Sequence, residues 1–320
     1  MGSHWSSITP IIVPVRHLRL EGGPFSMNLD FARYASLIAS SVLLVGTDAR
    51  ATDDQKASQS ENETIATIER QVGGRVGIAV FDAANGRRFE YRATDRFPIC
   101  STFKFLAAAA VLQRVDQKQE YLDRRIPYGA ADLLEWAPVT REHLGDGWMT
   151  VEALSAAAIE YSDNTAANLL LKTIGGPAKL TEYVRSLGDR ITRLDRTEPT
   201  LNSAIEGDER DTTSPAAMLS DMKILLLGDS LSQQSRQQLE TWLLGNTTGA
   251  KRLRSGFPSA WRIGDKTGTG DNGAMGDIAI AWPPNRAPIL IAVYLAGSTA
   301  STETLNDAFV AAARFIAATF

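Results

Sequence analysis

The sequence changes from a strand-like to a helix-like pattern at Ser101-Thr-Phe-Lys-Phe-Leu-Ala-Ala-Ala-Ala-Val-Leu112. Its second part, Phe105–Leu112, is apolar and alanine-rich, which is typical of a buried helix. Upstream, Val76–Phe81 and Phe89–Tyr91 are rich in β-forming residues and flank Asn85-Gly86, a pattern that indicates a β-hairpin. The folded part of the chain therefore places a hairpin before a helical block.

Further helices and strands are predicted from periodicity on both sides of this point. The predicted helices are Glu61–Val72, Val151–Ala158, Thr165–Thr173, Pro215–Leu227, Ser232–Leu244 and Thr302–Phe320. The predicted late strands are Ala260–Asp265, Gly276–Trp282 and Ile289–Leu295. Because a lone hairpin is marginally stable, the early and late strands should pair across the helices. We expect an α+β fold: an antiparallel five-stranded sheet flanked by terminal helices, with an inserted all-helical lobe.

Composition restricts the function. The chain has 320 residues and a formal net charge of −4, which gives no reason to expect nucleic acid or an anionic membrane as partner. The sequence lacks an apolar run long enough to predict a membrane span. The single cysteine, Cys100, excludes an internal disulfide framework and a cysteine-based zinc site.

The N-terminal residues, 1–51, have the pattern of a secretory signal peptide with an upstream segment. Tyr34–Gly46 is mostly apolar and is followed by the small-residue pattern Ala49-Arg50-Ala51. Cleavage near Ala51 would leave residues 52–320 as the mature protein, which we expect in the periplasm. Met1 and Met27 are alternative translation starts. The alternative interpretation of the apolar stretch is a buried core helix.

Loss of residues 1–51 would leave His143 as the only histidine of the three in the chain. A multi-histidine metal site is then excluded, and a Ser-His-Asp triad would have to use His143.

One long segment, Gly188–Ser214, has little helical or strand periodicity and is rich in charges. Loops longer than about 15 residues without regular structure are usually functional or disordered. Leu194, Leu201 and Ile205 indicate that this segment packs against the rest of the protein. We predict an Ω-type loop held by ion pairs.

Three short motifs carry possible chemistry. In Ser101-Thr-Phe-Lys104 the spacing places serine and lysine on one helix face, next to the free N–H groups of a helix N-terminus. Ser162-Asp163-Asn164 precedes a helix, and Lys266-Thr267-Gly268 ends a strand. Taken singly, these motifs are more typical of a capping serine near a surface lysine, a helix N-cap cluster and a glycine-rich turn.

In this order, however, the three motifs are those of penicillin-recognising serine enzymes. Between the last two lies Glu198-Pro-Thr-Leu-Asn202, inside the long loop. The chain therefore resembles the class A serine β-lactamases from about Glu61 to Phe320. Transpeptidases and carboxypeptidases share the first three motifs but lack this glutamate, so the E-x-x-L-N pattern is the specific part.

The resemblance implies how acylation would proceed. Ser101 would be the nucleophile, and its own N–H and that of Thr269 would form the oxyanion hole. Lys104 would be the acylation base if burial and the nearby Lys266 lower its pKa. Glu198 acting through a water is the competing base, and the sequence leaves this open.

It also implies how the acyl-enzyme would be hydrolysed. Glu198 would activate the deacylating water, with Asn202 orienting that water. Ser162 would relay a proton to the leaving nitrogen, and Asn164 should contact the acylamide group and Lys104. The expected substrate-binding set is Asn164, Asn202, Lys266, Thr267, Thr269, Arg252 and Trp136.

Two residues of this set, Arg252 and Trp136, also have another interpretation. Many members carry an arginine for the substrate carboxylate at the position of Met275, so we assign this role to Arg252, which matches an alternative position. The other interpretation of Arg252 is a solvated basic turn. Trp136 matches an aromatic residue at the cleft mouth, and its alternative is an ordinary buried tryptophan.

The resemblance predicts further local features. Arg196 and Asp211 match an ion pair that joins the ends of the loop, and Glu198-Pro199 matches a cis peptide. Cys100 should be a buried free thiol, because the position of a bridging partner is Gly270.

The function implied is hydrolysis of the β-lactam amide of penicillins and cephalosporins through a serine acyl-enzyme, which gives antibiotic resistance. The active site should lie between a sheet lobe, about 61–98 with 245–320, and a helical lobe, about 99–244. We expect a monomer with a small-molecule β-lactam substrate and neither cofactor nor metal. The competing functions are a D-alanyl-D-alanine carboxypeptidase or transpeptidase and a β-lactam sensor domain.

Overall fold

The computed structural model describes residues 59–320, so the predicted signal peptide and its cleavage site lie outside the described residues. The strands in this part of the chain are β1 (Arg75–Asp82), β2 (Arg88–Tyr91), β3 (Phe97–Pro98), β4 (Arg125–Pro127), β5 (Trp148–Thr150), β6 (Thr212–Thr213), β7 (Arg262–Thr269), β8 (Met275–Trp282) and β9 (Ile289–Ala296). Five of them form one antiparallel sheet in the order β2-β1-β9-β8-β7. The predicted five-stranded sheet, with early and late strands paired, is confirmed.

The helices of the described residues surround this sheet. They are α1 (59–72), α2 (Phe103–Asp116), α3 (Pro138–Glu142), α4 (Val151–Glu160), α5 (Asn164–Ile174), α6 (Pro177–Ser186), α7 (Pro215–Leu227), α8 (Gln233–Leu244), α9 (Leu253–Gly256) and α10 (Thr302–Thr319). Within 59–320, no helix is both long and apolar enough to cross a membrane.

Helices cover both faces of the sheet, which explains its apolar strands. Along β9 the odd-numbered residues pack towards α1 and α10, and the even-numbered residues pack towards the helical block. This alternation follows from the two-residue period of a strand. Strands buried on both faces are continuously hydrophobic, and all eight residues of β9 are buried.

Helix α2 is the centre of the helical block. Ten consecutive residues, Phe103–Leu112, are buried, and the alanine run lets neighbouring helices approach closely. A helix that is apolar on all sides belongs inside a protein. Since α2 begins directly after the turn Cys100–Thr102, Ser101 lies where the helical block meets the sheet.

The structure corrects several sequence predictions. Helix α6 was missed because Gly175-Gly176-Pro177 resembles a long break; Gly175 ends α5 with a φ of 98°, and Pro177 begins α6. The predicted strand Ala260–Asp265 in fact extends to Thr269, so the Lys-Thr-Gly motif lies within β7. Strands β3 to β6 have two or three residues each, too few to show a period.

Gly77 tests the contact between the sheet and the segment that leads to Ser101. A Cβ at Gly77 would lie 2.4 Å from Cε2 of Phe97 and 2.8 Å from Cγ of Pro215. Overpacking of this kind costs about 1–3 kcal/mol, so Gly77→Ala should lower the free energy of unfolding by that amount in urea titrations. Gly129→Ala is the matched control, because nothing lies within 4 Å of its Cβ position. Equal stability of the two variants would contradict this packing.

Candidate active site

The segment around Ser101 is pressed against the edge strand β7. A Cβ on Gly268 would lie 3.0 Å from the Cβ of Cys100 and 3.1 Å from the backbone nitrogen of Ser101. Cys100 itself has a φ of 43°, a left-handed conformation that few non-glycine residues adopt. A side chain at Gly268 would therefore fit only if the turn that carries Ser101 moved away from β7 by a few tenths of an ångström.

Lys104 lies one helical turn after Ser101 and is completely buried. Its Nζ donates to the carbonyl of Ser162 (2.9 Å), to Oδ1 of Asn164 (2.6 Å) and to Oγ of Ser162 (3.3 Å). It also forms an ion pair with Oε1 of Glu198 at 3.0 Å. The expected contact between Asn164 and Lys104 is therefore present.

Burial lowers the pKa of Lys104, as expected, and the Glu198 carboxylate opposes this effect. The neighbouring Lys266 is also fully buried, and burial followed by the charge of Lys104 holds the pKa of Lys266 well below its usual value. Lys266 Nζ donates to Oγ of Ser162 at 3.0 Å. The hydroxyl of Ser162 thus lies between the two amines.

The aspartate of Ser162-Asp163-Asn164 has a structural role. It caps α5, since its Oδ1 accepts the backbone N–H of Ala166 at 2.9 Å. Its Oδ2 accepts the backbone N–H groups of Val139 and Thr140. The capping interpretation is correct for this residue, while its two neighbours in the motif face Lys104.

Glu198 is the residue of the loop that contacts Ser101. Its Oε1 accepts a hydrogen bond from Ser101 Oγ at 3.0 Å, and its Oε2 accepts one from Nδ2 of Asn202 at 2.5 Å. The peptide bond Glu198-Pro199 is cis, as expected. The backbone of Glu198 is held on both sides by Asn168, whose Oδ1 accepts at 3.0 Å and whose Nδ2 donates at 2.9 Å.

Sequence reasoning missed Asn168. The available signal was its spacing: it follows Asn164 by four residues on α5, so both side chains share one face of the helix.

The loop is closed at its base by the predicted pair. Arg196 Nε donates to Oδ2 of Asp211 at 2.5 Å. Oδ1 of Asp211 accepts the backbone N–H groups of Asp195 (2.7 Å) and Arg196 (2.9 Å). The fully buried Asp211 therefore holds in place the backbone of Asp195 and Arg196, which directly precedes the Glu198 region of the loop.

A cavity of about 720 Å³ opens above these groups, between the helical block and β7. Most of the predicted site residues line it: Ser101, Trp136, Ser162, Asn164, Asn202, Arg252, Thr267 and Thr269. Lys104, Glu198 and Lys266 are buried beside it. Thr248 was not predicted; its hydroxyl lies 2.5 Å from that of Thr267.

Trp136 and Arg252 settle two alternatives. Trp136 is 56% exposed at the cavity, not an ordinary buried tryptophan, and its Nε1 donates to the carbonyl of Tyr161 at 3.1 Å. Arg252 is only 7% exposed, so a solvated basic turn is excluded. His143 is exposed and contacts Asp146, apart from the residues that line the cavity.

The guanidinium of Arg252 holds the ends of two strands. Nη1 donates to the carbonyls of Gly268 (2.7 Å) and Gly276 (2.9 Å), and Nη2 donates to Oγ1 of Thr269 at 2.6 Å. Met275, the position at which the resemblance leads one to expect an arginine, pairs with Thr269 across the sheet and is buried.

The comparisons agree with this geometry. A model of the β-lactamase enzyme family matches residues 61–320. The reconstructed class A β-lactamase of the last common ancestor of Gram-negative bacteria is 59% identical, with a TM-score of 0.80 over 82% of this chain and 99% of that one. This chain belongs to the class A β-lactamases.

Named relatives of this β-lactamase include OXY-2 of Klebsiella oxytoca, 44% identical over 88% of this chain and 92% of that protein. CTX-M-8 of Citrobacter amalonaticus is 46% identical over 79% of this chain and 87% of that protein. A solved structure described as the putative class A β-lactamase PenP of Rhodopseudomonas palustris is 52% identical. It has a TM-score of 0.80 and covers 82% of this chain and all of that one.

Cys100 gives a test of the packing behind Ser101. The thiol is free and buried, and burial, followed by the charge of Glu198, raises its pKa to about 12. Since the thiolate is the reactive form, a disulfide reagent at pH 8 should leave the folded β-lactamase unlabelled and should label it fully in urea. The labelling is measured by absorbance. Rapid labelling of the folded enzyme would contradict the burial of Cys100.

Proposed function

We propose that this β-lactamase opens the β-lactam amide of penicillins and cephalosporins through an acyl-enzyme on Ser101, and so gives antibiotic resistance. One observation supports this most: Oε1 of Glu198 lies 3.0 Å from both Ser101 Oγ and Lys104 Nζ. A single carboxylate thereby reaches the nucleophile and the amine beside it. The competing penicillin-recognising enzymes lack a glutamate in this position.

The hydrogen bonds around Ser101 favour Glu198 as the acylation base. Ser101 Oγ donates to Glu198, whereas Lys104 Nζ faces oxygen acceptors of Ser162, Asn164 and Glu198. An ammonium has three N–H donors and suits three acceptors, while the lone pair of a neutral amine would face another lone pair. Lys104 then stays charged and stabilises the Glu198 carboxylate that accepts the proton of Ser101.

The oxyanion hole follows from the position of β7. This strand is an edge strand of the sheet, and at Gly268 it lies close to the backbone nitrogen of Ser101. The backbone N–H groups of Ser101 and Thr269 would bind the developing oxyanion as the β-lactam carbonyl becomes tetrahedral.

Ser162 would donate the proton to the leaving nitrogen. Its oxygen accepts a hydrogen bond from Lys266 Nζ at 3.0 Å and lies 3.3 Å from Lys104 Nζ, whose three N–H groups face closer acceptors. A hydroxyl that accepts from an amine keeps its own O–H for another partner. Either lysine can then return a proton to Ser162 after each transfer.

Deacylation would use the carboxylate of Glu198 and the amide of Asn202. Asn202 Nδ2 donates to Oε2 of Glu198, while its Oδ1 is buried without a partner among the described residues. A water placed between this Oδ1 and Glu198 would satisfy the amide and would be activated to attack the ester.

Arg252 would contribute to binding the substrate carboxylate, together with Thr267, Thr269 and Lys266. Within the described residues, three of its five N–H groups donate to Gly268, Gly276 and Thr269, and Nε donates to Asn306 at 3.3 Å. One N–H of Nη2 remains for a ligand, beside the hydroxyl of Thr269. Asn164 would contact the acylamide group, and Trp136 would pack at the cleft mouth.

We also propose the remaining organisation of the protein. The catalytic domain comprises 52–320, with a sheet lobe of about 61–98 and 245–320 and a helical lobe of about 99–244. Residues 1–51 act as the segment that directs the chain to the periplasm and are removed near Ala51. The enzyme works as a monomer on a small-molecule β-lactam.

Glu198→Ala should separate acylation from deacylation, because the Glu198 carboxylate raises the pKa of Lys104 and its loss would let the neutral amine serve as a slower acylation base. Loss of a positioned general base slows a step by roughly 10²–10⁴-fold, so ester hydrolysis should slow by that factor. Mass spectrometry after mixing with a penicillin should show a long-lived adduct of the full substrate mass. Ser101→Ala should give neither adduct nor turnover, and Glu206→Ala, an exposed position of the same loop, should behave like the parent enzyme.

Two outcomes would revise this mechanism. An adduct that clears as fast as in the parent would remove Glu198 from deacylation. An adduct that never forms on Glu198→Ala would show that Lys104 cannot replace this carboxylate as the acylation base.

Arg252→Ala should raise KM about 10–100-fold for a β-lactam with a free carboxylate, with a smaller effect on kcat. This range corresponds to the loss of a hydrogen bond to a charged group, about 1.5–3 kcal/mol. The carboxylate ester of the same β-lactam should be affected much less. Lys251→Ala, the exposed neighbour, is the control. An equal loss on acid and ester would show that Arg252 acts only by holding Gly268 and Gly276.

A further inference from the structure

A second cavity, of about 450 Å³, lies away from the catalytic cleft. Four arginines line it: Arg96 before β3, Arg185 at the end of α6, and Arg190 and Arg193 in the first part of the loop. The proposed mechanism uses none of them. We refer to this cavity as the arginine pocket.

Positive charge exceeds negative charge in the arginine pocket. Asp195 is the one carboxylate among the described residues that line it, and it pairs with Arg193 at 2.6 Å. Arg96 lies 3.9 Å from the exposed Glu209, a weak contact in water. Arg185 and Arg190 form no ion pair with any residue between 59 and 320.

Two of the guanidinium groups are already held in position by the backbone of the loop. Arg96 Nη1 donates to the carbonyl of Ile191 at 2.9 Å, and Arg185 Nη1 donates to the carbonyl of Asp189 at 2.6 Å. Each guanidinium has five N–H donors, so several donors per side chain remain for a ligand. Side chains that are ordered before binding lose less entropy when a ligand arrives.

We propose that the arginine pocket binds a polyanion of the pyrophosphate type. The planar fork of arginine matches phosphate oxygens, and arginines from three segments of the chain can bind two linked phosphoryl groups together. Among the described lining residues none is aromatic, so the pocket offers no stacking surface for a nucleobase or an aromatic acid. A cavity of this size in an acidic protein does not suit a nucleic-acid strand.

A bound anion would act on the base of the loop that carries Glu198. Asp195, the partner of Arg193, also accepts the backbone N–H of Asp211 at 3.2 Å and donates its own backbone N–H to Asp211. An anion that joins Arg190 and Arg193 to Arg185 would fasten the start of the loop to α6. Because it binds the folded state, it should raise the unfolding temperature.

Calorimetric titration of the full chain with sodium pyrophosphate, at constant ionic strength, tests this site. We expect saturable binding, and Arg190→Gln should raise the Kd about tenfold, the loss of one charge-assisted hydrogen bond. Arg70→Gln is the control, since it removes another exposed arginine, from α1. Arg185→Gln, which alters the helix side of the pocket, should weaken binding in the same way.

A second arm distinguishes a free anion from a lipid headgroup. Vesicles of phosphatidylcholine with phosphatidic acid are sedimented with the parent chain and with Arg190→Gln. Retention that depends on Arg190 would assign the site to a headgroup phosphate, and binding of pyrophosphate alone would assign it to a free anion. The absence of saturable pyrophosphate binding, or equal affinity of parent, Arg190→Gln and Arg185→Gln, overturns the proposal. No β-lactam is present, so the result is independent of the proposed hydrolysis.

Discussion

The burial of one amine, that of Lys104, constrains how the parts of this β-lactamase are arranged. A polar or charged group taken out of water is tolerated only when other polar groups surround it. Here the partners come from two distant segments: Ser162 and Asn164 at the start of α5, and Glu198 in the loop. Displacement of either segment would leave the buried amine without some of its partners. The helical block and the loop are therefore held by the same group that lies beside Ser101.

The loop itself depends on two further residues that contact backbone rather than substrate. Asp211 accepts two backbone N–H groups and the guanidinium of Arg196 at the base of the loop. Asn168 forms hydrogen bonds with both the backbone N–H and the carbonyl of Glu198. A segment whose regular structure is limited to a short turn at Thr200–Asn202 and to β6 thus obtains part of its order from side-chain to backbone hydrogen bonds.

The sequence predicts the sheet, the main helices and the cluster around Ser101 because each leaves a local trace. The Ser-x-x-Lys spacing, for example, fixes Lys104 next to Ser101 on one helix face. What it cannot predict depends on long-range packing: β3 pairs with β6 through two residues each, which leaves no period to detect. Asn168 and Thr248 were missed for a related reason, since a lone polar side chain carries no motif. Burial of Arg252 was equally invisible in a run of basic residues.

The structure gives a physical reason why Arg252 can take the place of the arginine that the resemblance predicts at the position of Met275. Met275 faces Thr269 across the sheet, and Arg252 reaches the same place from the start of α9, through bonds to Thr269 and Gly276. Two separate backbone segments therefore approach one point at the end of β7, and either can supply a guanidinium there. An arginine that comes from α9 has one constraint: both N–H groups of Arg252 Nη1 already donate to the carbonyls of Gly268 and Gly276. Within residues 59–320, the same cation holds the strand ends together and has one N–H without a partner.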